Sequence, residues 1–195
     1  MNNHNYNNMT NLANGYLEII LGPMYSGKSS RIVEIYKKCK FCNIPVTVIN
    51  HIIDNRYDDT LLSTHDKIMI PCIQTKSLND VWREPDIRSS QVILINEGQF
   101  FEDLYAVVSD MVKSGKQVYV CGLDGDFERN KFGQMLDLIP LCDTVTKLTS
   151  LCSICTNGTK AIFSMRVTHE KEQTLVGSDN YKPVCRHCYE TYATI

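Results

Sequence analysis

Residues 22–29, GPMYSGKS, restrict this chain more than any other stretch, because they read G-x-x-x-x-G-K-S. Glycines in such a loop let successive backbone N–H groups turn inward around phosphate oxygens. The lysine sets a cation on the β- and γ-phosphates, and the serine hydroxyl ligates Mg²⁺. A helix that follows adds its positive N-terminal dipole. The flanks agree with this reading. Residues 16–21, YLEIIL, form the short apolar run of a buried strand. Ile32, Ile35, Tyr36 and Cys39 then fall at i, i+3, i+4 and i+7, one face of a helix. An ordinary glycine turn before a helix is the competing reading, and the order strand, glycine loop, helix weighs against it.

Composition limits the rest. A chain of 195 residues, 43% hydrophobic, suits one domain, or one with a small appendage. The net charge of −2 and the lack of a long basic run do not favour non-specific nucleic-acid binding, so no nucleic-acid partner is expected. No apolar run reaches membrane-spanning length and no signal peptide is legible, so neither a membrane partner nor secretion is expected. In the cytosolic, reducing location this implies, nine cysteines suggest metal thiolates or small buried side chains rather than a disulfide framework.

Residues 1–14 are half asparagine and are expected to be a disordered tail. Beyond the first helix, residues 45–50 predict a strand. The polar loop after it carries Asp54, Asn55 and Arg56, and a short strand is expected over 67–72. A brief helix spans 77–82, ending before Pro85. Residues 91–95, QVILI, form the clearest buried strand, and it delivers Asn96 and Glu97 at its carboxyl end. Acidic residues there are the Walker B arrangement expected beside a P-loop. Leu104, Val107, Val108, Met111 and Val112 make an apolar helical stripe closed by Gly115. Strands follow at 117–121 and 144–148. This alternation predicts a parallel sheet with helices on both faces, ligands gathering at the carboxyl ends of its strands.

The character changes at residue 151. Cys152/Cys155 and Cys185/Cys188 are two CxxC pairs around a β-rich insert, with strands expected at 161–167 and 173–176. Four thiolates in two knuckles suit a closed tetrahedral Zn²⁺ site, which is structural because no coordination position stays open. The gap between the pairs is longer than common zinc-ribbon templates, and the insert accounts for it. His187 is the alternative fourth ligand. Cys39 and Cys42 form a third CxxC with no partner pair, read as chance. Cys72, Cys121 and Cys142 are read as core residues.

Taken in order, these segments resemble the type II thymidine kinases, a cytosolic family with a zinc ribbon behind a P-loop core. The likeness spans roughly residues 15–190. It is carried by GPMYSGKS at 22–29, DNRY at 54–57, THD at 64–66, EGQFF at 97–101, LDGDFERNKFG at 123–133, KLT at 147–149, GSDNY at 177–181, CRHCY at 185–189 and the first CxxC. The resemblance implies a P-loop (RecA-like) α/β domain over 15–150 and a zinc-ribbon-like β domain over 151–195. It also implies transfer of the ATP γ-phosphoryl to the 5′-hydroxyl of thymidine, and of deoxyuridine, with a homotetramer and feedback inhibition by dTTP. ATP, Mg²⁺ and structural Zn²⁺ are the implied cofactors. Glu97 is the candidate general base. Gly22, Pro23, Met24, Tyr25, Ser26, Gly27, Lys28 and Ser29 take the phosphates, with Ser29 on Mg²⁺. Asp54, Asn55, Arg56, Asn96, Gly98 and Gln99 lie near the triphosphate or the metal. Met24, Leu123 and Phe127 flank the nucleoside. Glu172, Gln173, Thr174, Leu175 and Val176 form a covering loop whose backbone reads the thymine edge, with Ser164 and Tyr181 as further contacts. Phe100, Phe101 and Phe132 are read as packing.

Two positions depart from the family pattern: Asn96 stands where it has Asp, and Val176 where it often has Gly. The first implies weaker Mg²⁺ affinity and leaves open a catalytically weakened nucleotide-binding paralogue. A P-loop ATPase or GTPase whose ribbon docks nucleic acid is the other rival. It would draw on Lys160, Arg166, Lys171, Lys182 and Arg186, but acids are interleaved among them.

Overall fold

The computed structural model describes residues 14–53, 61–63, 68–175 and 177–193. The expected tail, the loop bearing Asp54, Asn55 and Arg56, the 64–66 motif and Val176 lie outside the described residues. The first apolar run is β1 (Tyr16–Leu21), and α1 (Lys28–Phe41) follows the glycine loop. Then come β2 (Val46–His51), β3 (Leu61–Ser63), β4 (Met69–Pro71), β5 (Ile73–Thr75), α2 (Leu78–Trp82), α3 (Pro85–Ser89) and β6 (Val92–Asn96). After α4 (Leu104–Lys113) and β7 (Gln117–Gly122), a 3-10 segment at Met135–Leu141 leads to β8 (Thr144–Lys147).

Six strands form one parallel sheet in the order β5-β2-β6-β7-β1-β8. Period-two alternation sorts their side chains. Leu17, Ile19, Ile49, Ile93, Ile95, Val118 and Val120 share one apolar cluster with Leu78 and Trp82 of α2, Ile87 of α3 and Leu104, Val108 and Met111 of α4. Ile20, Val48, Val92, Leu94 and Cys121 share the other with Ile32, Val33, Ile35 and Cys39 of α1. Both faces are therefore covered by helices, which is why the strands read as continuous apolar runs.

The strand expected at 67–72 is β4, Met69–Pro71. Pro71 has no N–H to give a central ladder, so β4 pairs with β3 in a separate two-stranded ribbon, and the chain re-enters the main sheet only at β5. Pro85 does more than stop a helix. It sits in the first turn of α3, where a missing N–H costs nothing.

The cysteine-rich part holds β9 (Ser150–Leu151), β10 (Lys160–Ala161), β11 (Phe163–Arg166), β12 (Tyr181–Val184) and α5 (Arg186–Tyr192). β11 pairs antiparallel with β12. The strand expected at 173–176 is not formed at 173–175; Tyr181–Val184 supplies the partner instead, and 173–175 is left to cross a cavity.

Candidate active site

Because the sheet is parallel, the segments after β1, β2, β6 and β7 leave from the same edge, and the site is built there. After β1, Gly22 runs at φ 150°, and a Cβ there would sit 2.7 Å from the Leu148 carbonyl oxygen and 2.8 Å from Ser26 Oγ. Only glycine allows that closeness. Gly27, at φ 87°, starts α1, and its carbonyl accepts the first helical bond from Arg31 N–H. Lys28 is buried, and its Nζ donates to the carbonyls of Gly22 and Pro23 at 3.0 and 2.8 Å. Ser26 Oγ is buried without a partner among the described residues. A polar atom in that state, a cradle that a Cβ would fill, and a helix N-terminus behind both fit a bound phosphate. Met24, Tyr25, Ser26, Gly27, Lys28 and Ser29 line the cavity that opens here; Gly22 and Pro23 shape the loop from behind.

Glu97 follows β6 in the left-handed region, φ 55° and ψ 43°. For a side chain with a Cβ this costs about 1–2 kcal/mol. The turn brings Glu97 to the cavity wall, where Gln99 Nε2 donates to its carboxylate at 2.6 Å. The other end of Gln99 accepts the Leu123 N–H at 3.0 Å. Gln99 thus clamps the carboxylate to the segment after β7. Gly122 makes room for the clamp, since a Cβ there would lie 2.5 Å from Gln99 Oε1. Gly98 lies under Met135 and Val120, off the cavity. Asn96 is buried between its register partner Asn50, to which it donates at 2.8 Å, and Cys121, whose thiol donates to it at 3.0 Å.

Part of the lining is apolar. Met24, Leu123, Phe127 and Phe132 supply it, with Phe100. Phe101 is pure packing, but Phe100 and Phe132, also read as packing, reach the cavity, their rings edge-to-face at 5.5 Å. Gln173, Thr174, Leu175 and Tyr181 close the far side, while Glu172 stays off it. Ser164 lines the cavity too, and its Oγ accepts the Met24 N–H at 2.9 Å, so β11 is tied to the glycine loop. Asp126, unremarked in the sequence, lines the cavity. One carboxylate oxygen accepts the N–H groups of Glu128 and Asn130, and the other takes Gln173 Nε2 at 2.8 Å. Ser30, Ile53, Gly125 and Gly177 complete the lining. An aspartate two and four residues before the N–H groups it caps is the signal that could have picked out Asp126.

Sγ atoms of Cys152, Cys155, Cys185 and Cys188 lie within 4.8 Å of one another, with Cys155 at 3.3 Å from Cys188 and 3.7 Å from Cys185. Tetrahedral Zn²⁺ with four thiolates at about 2.3 Å has S–S edges near 3.8 Å, so the donors fit the metal. Burial pushes the Cys152 thiol up, but the N–H groups of Cys155, Cys185 and Ile154 outweigh it and bring it down to about 6. His187 is exposed and stands outside the cluster. Tyr189, on the helix begun by Cys185, donates its hydroxyl to the Phe127 carbonyl, which couples this centre to the apolar part of the lining.

Fold and site together define a P-loop α/β protein: the glycine loop, a carboxylate and part of a cysteine-rich β unit line one cavity. The thymidine kinase family model matches residues 15–189. Relatives include the thymidine kinase of Sheeppox virus, 39% identical over 176 residues that cover 90% of this chain and 97% of the relative. That of Yaba monkey tumor virus is 41% identical over 180 residues, covering 92% and 97%. The cytosolic thymidine kinase of Bos taurus is 39% identical over 176 residues, covering 90% and 72%. The chain belongs to the thymidine kinase family.

Proposed function

We propose that this protein transfers the γ-phosphoryl group of ATP to the 5′-hydroxyl of thymidine, and of deoxyuridine, giving dTMP for pyrimidine deoxynucleotide salvage. The observation that carries the reading is one continuous cavity. Its lining runs, in chain order, from Met24 to Ser30 of the glycine loop, through Glu97, to Phe127, Gln173, Thr174, Leu175 and Tyr181.

The chemistry follows from that order. Lys28 and the loop N–H groups hold the triphosphate and offset charge on the transferring group. Ser29 and waters would hold Mg²⁺, which supplies further charge neutralisation on the phosphates. Glu97 accepts the 5′-hydroxyl proton as the new O–P bond forms; the bond from the γ-phosphorus to the bridging oxygen breaks, and ADP leaves with that electron pair. Gln99 keeps the carboxylate aimed by holding it against the Leu123 N–H. Phe127 flanks the base, and the backbone of 172–176 reads its edge. A polar edge enclosed this way rejects a mismatched base, since unmade bonds leave buried groups unpaired. The likeness of DNRY at 54–57 assigns Asp54 and Arg56 to the triphosphate.

We read residues 15–150 and 151–195 as two domains, and Zn²⁺ as the staple of the second. No helix among the described residues is long and apolar enough to cross a membrane. A cytoplasmic homotetramer inhibited by dTTP completes the proposal, and sedimentation with and without dTTP tests that part.

The central test is dTMP formation from thymidine, ATP and Mg²⁺ by the purified protein and by Glu97→Gln. The wild type is expected to turn over. The variant is expected to lose about 10²–10⁴-fold in kcat with both KM values little changed. ATP hydrolysis that ignores thymidine, or a Glu97→Gln variant at wild-type rate, would overturn the reading.

A further inference from the structure

The nucleoside end of the cavity is held in shape by a residue the sequence offered only as one of several scattered basic groups. Arg166 ends β11 opposite Tyr181 and is 6% exposed. It is therefore no part of a basic surface. Its Nη1 donates to the carbonyls of Glu170, at 2.9 Å, and Glu172; its Nη2 donates to the carbonyl of Gln173, at 3.2 Å, and to the Tyr181 hydroxyl. The same hydroxyl accepts the Leu175 N–H at 3.3 Å. The guanidinium carbon lies 3.7 Å from the centre of the Phe127 ring and 5.1 Å from that of Tyr181.

We propose that Arg166 is the positioning residue that sets nucleoside affinity, holding the Phe127 ring and the backbone of residues 170–173 in the one arrangement that admits a pyrimidine base. The proposal rests on the kinase reading above. One side chain joins the end of the β11–β12 ladder to Phe127 and to residues 170–173, which no ladder holds. Residues 170–175 form no strand, so their carbonyls depend on a side-chain donor, and a planar fork can serve several at once. The guanidinium also covers one face of the Phe127 ring, leaving the other face and the edge to the cavity. Substrate stacking and edge recognition therefore share one anchor. Gln173 adds a second tie, to Asp126, but reaches only one point of the loop. A lysine at 166 keeps the charge yet lacks both the fork and the flat surface for stacking on the ring.

Arg166→Lys tests this, with thymidine and ATP titrated separately. The expected result is a rise in the KM for thymidine of about 10- to 100-fold, the range for losing charged hydrogen bonds, with kcat within about threefold and the KM for ATP unchanged. A role in general stability would lower the active fraction and leave both KM values alone. A thymidine KM within twofold of wild type in a folded, zinc-replete variant would overturn the proposal. If Arg166→Lys does not fold, Tyr181→Phe removes one anchor and keeps the ring. Hydrogen exchange at residues 170–175 is expected to accelerate in that variant, and unchanged exchange would overturn the proposal. A wild-type protein inert toward thymidine would instead sink the kinase reading. The exchange measurement would still judge Arg166.

Discussion

At the scale of single residues, the site depends on side chains whose polar atoms are already committed to protein partners. Asn96 shows this best. Its amide is closed between Asn50 and Cys121, so a carboxylate there would lose the donor that Asn50 Oδ1 receives. Asn96→Asp is expected to lower the half-saturating Mg²⁺ concentration several-fold while costing about 1–3 kcal/mol of stability. Urea unfolding without nucleotide reads the cost, and an unmoved Mg²⁺ curve would remove position 96 from the metal. His51 carries a pH dependence. Burial, the largest influence, holds its imidazole below the ordinary value near 6.5. Nδ1 accepts the Ile53 N–H at 3.2 Å, a bond that protonation at that nitrogen would break, and the ring packs tilted against Phe100 and edge-to-face against Phe101. The unfolded chain takes up this proton at a higher pH than the folded one. The stabilisation is thus complete above about 6.5 and declines as pH falls toward the depressed folded value. The melting temperature is expected to drop between pH 7.5 and 5.5, and the drop to be smaller in His51→Gln. Equal drops would exclude His51 as the source.

Elements were legible where their periodicity was strong. The apolar runs at 16–21 and 91–95 and the stripe from Leu104 to Val112 became β1, β6 and α4, because burial on a sheet or under a helix imposes those spacings. β5 and the 3-10 segment at Met135–Leu141 were not read, since three residues, or a turn interrupted by Pro140, carry no period. Ends fixed from a distance were equally hidden. The carboxylate of Asp103, before α4, accepts from Ser77 Oγ and from the N–H groups of Leu78 and Asn79, so it caps α2 from across the fold. Asp103→Ala is expected to cost about 1–2 kcal/mol, read as a melting temperature lower by about 2–8 °C for a chain of this size.

At the scale of the whole molecule, the cysteine centre and the glycine loop are distinct in chemistry but tied through Ser164 to Met24 and Tyr189 to Phe127. Removing zinc with a chelator is expected to abolish thymidine binding while the glycine loop still takes ATP, because the β1–α1 unit rests on its own core. Calorimetry with each ligand checks this; loss of both affinities together would mean one cooperative unit. The sequence by itself determined the local chemistry: a phosphate loop needs its glycines, lysine and serine consecutively, and a thiolate knuckle needs two cysteines three apart, so both constraints are written in adjacent residues. Only the tertiary structure decided which further residues enclose the cavity. Asp126 meets Gln173, Phe132 meets Phe100 and Arg166 meets Phe127, each a partner far away in the chain that no local spacing announces. The same holds for the stretch at 173–175, an extended-looking run that forms no strand, while Tyr181–Val184, later in the chain, pairs with β11.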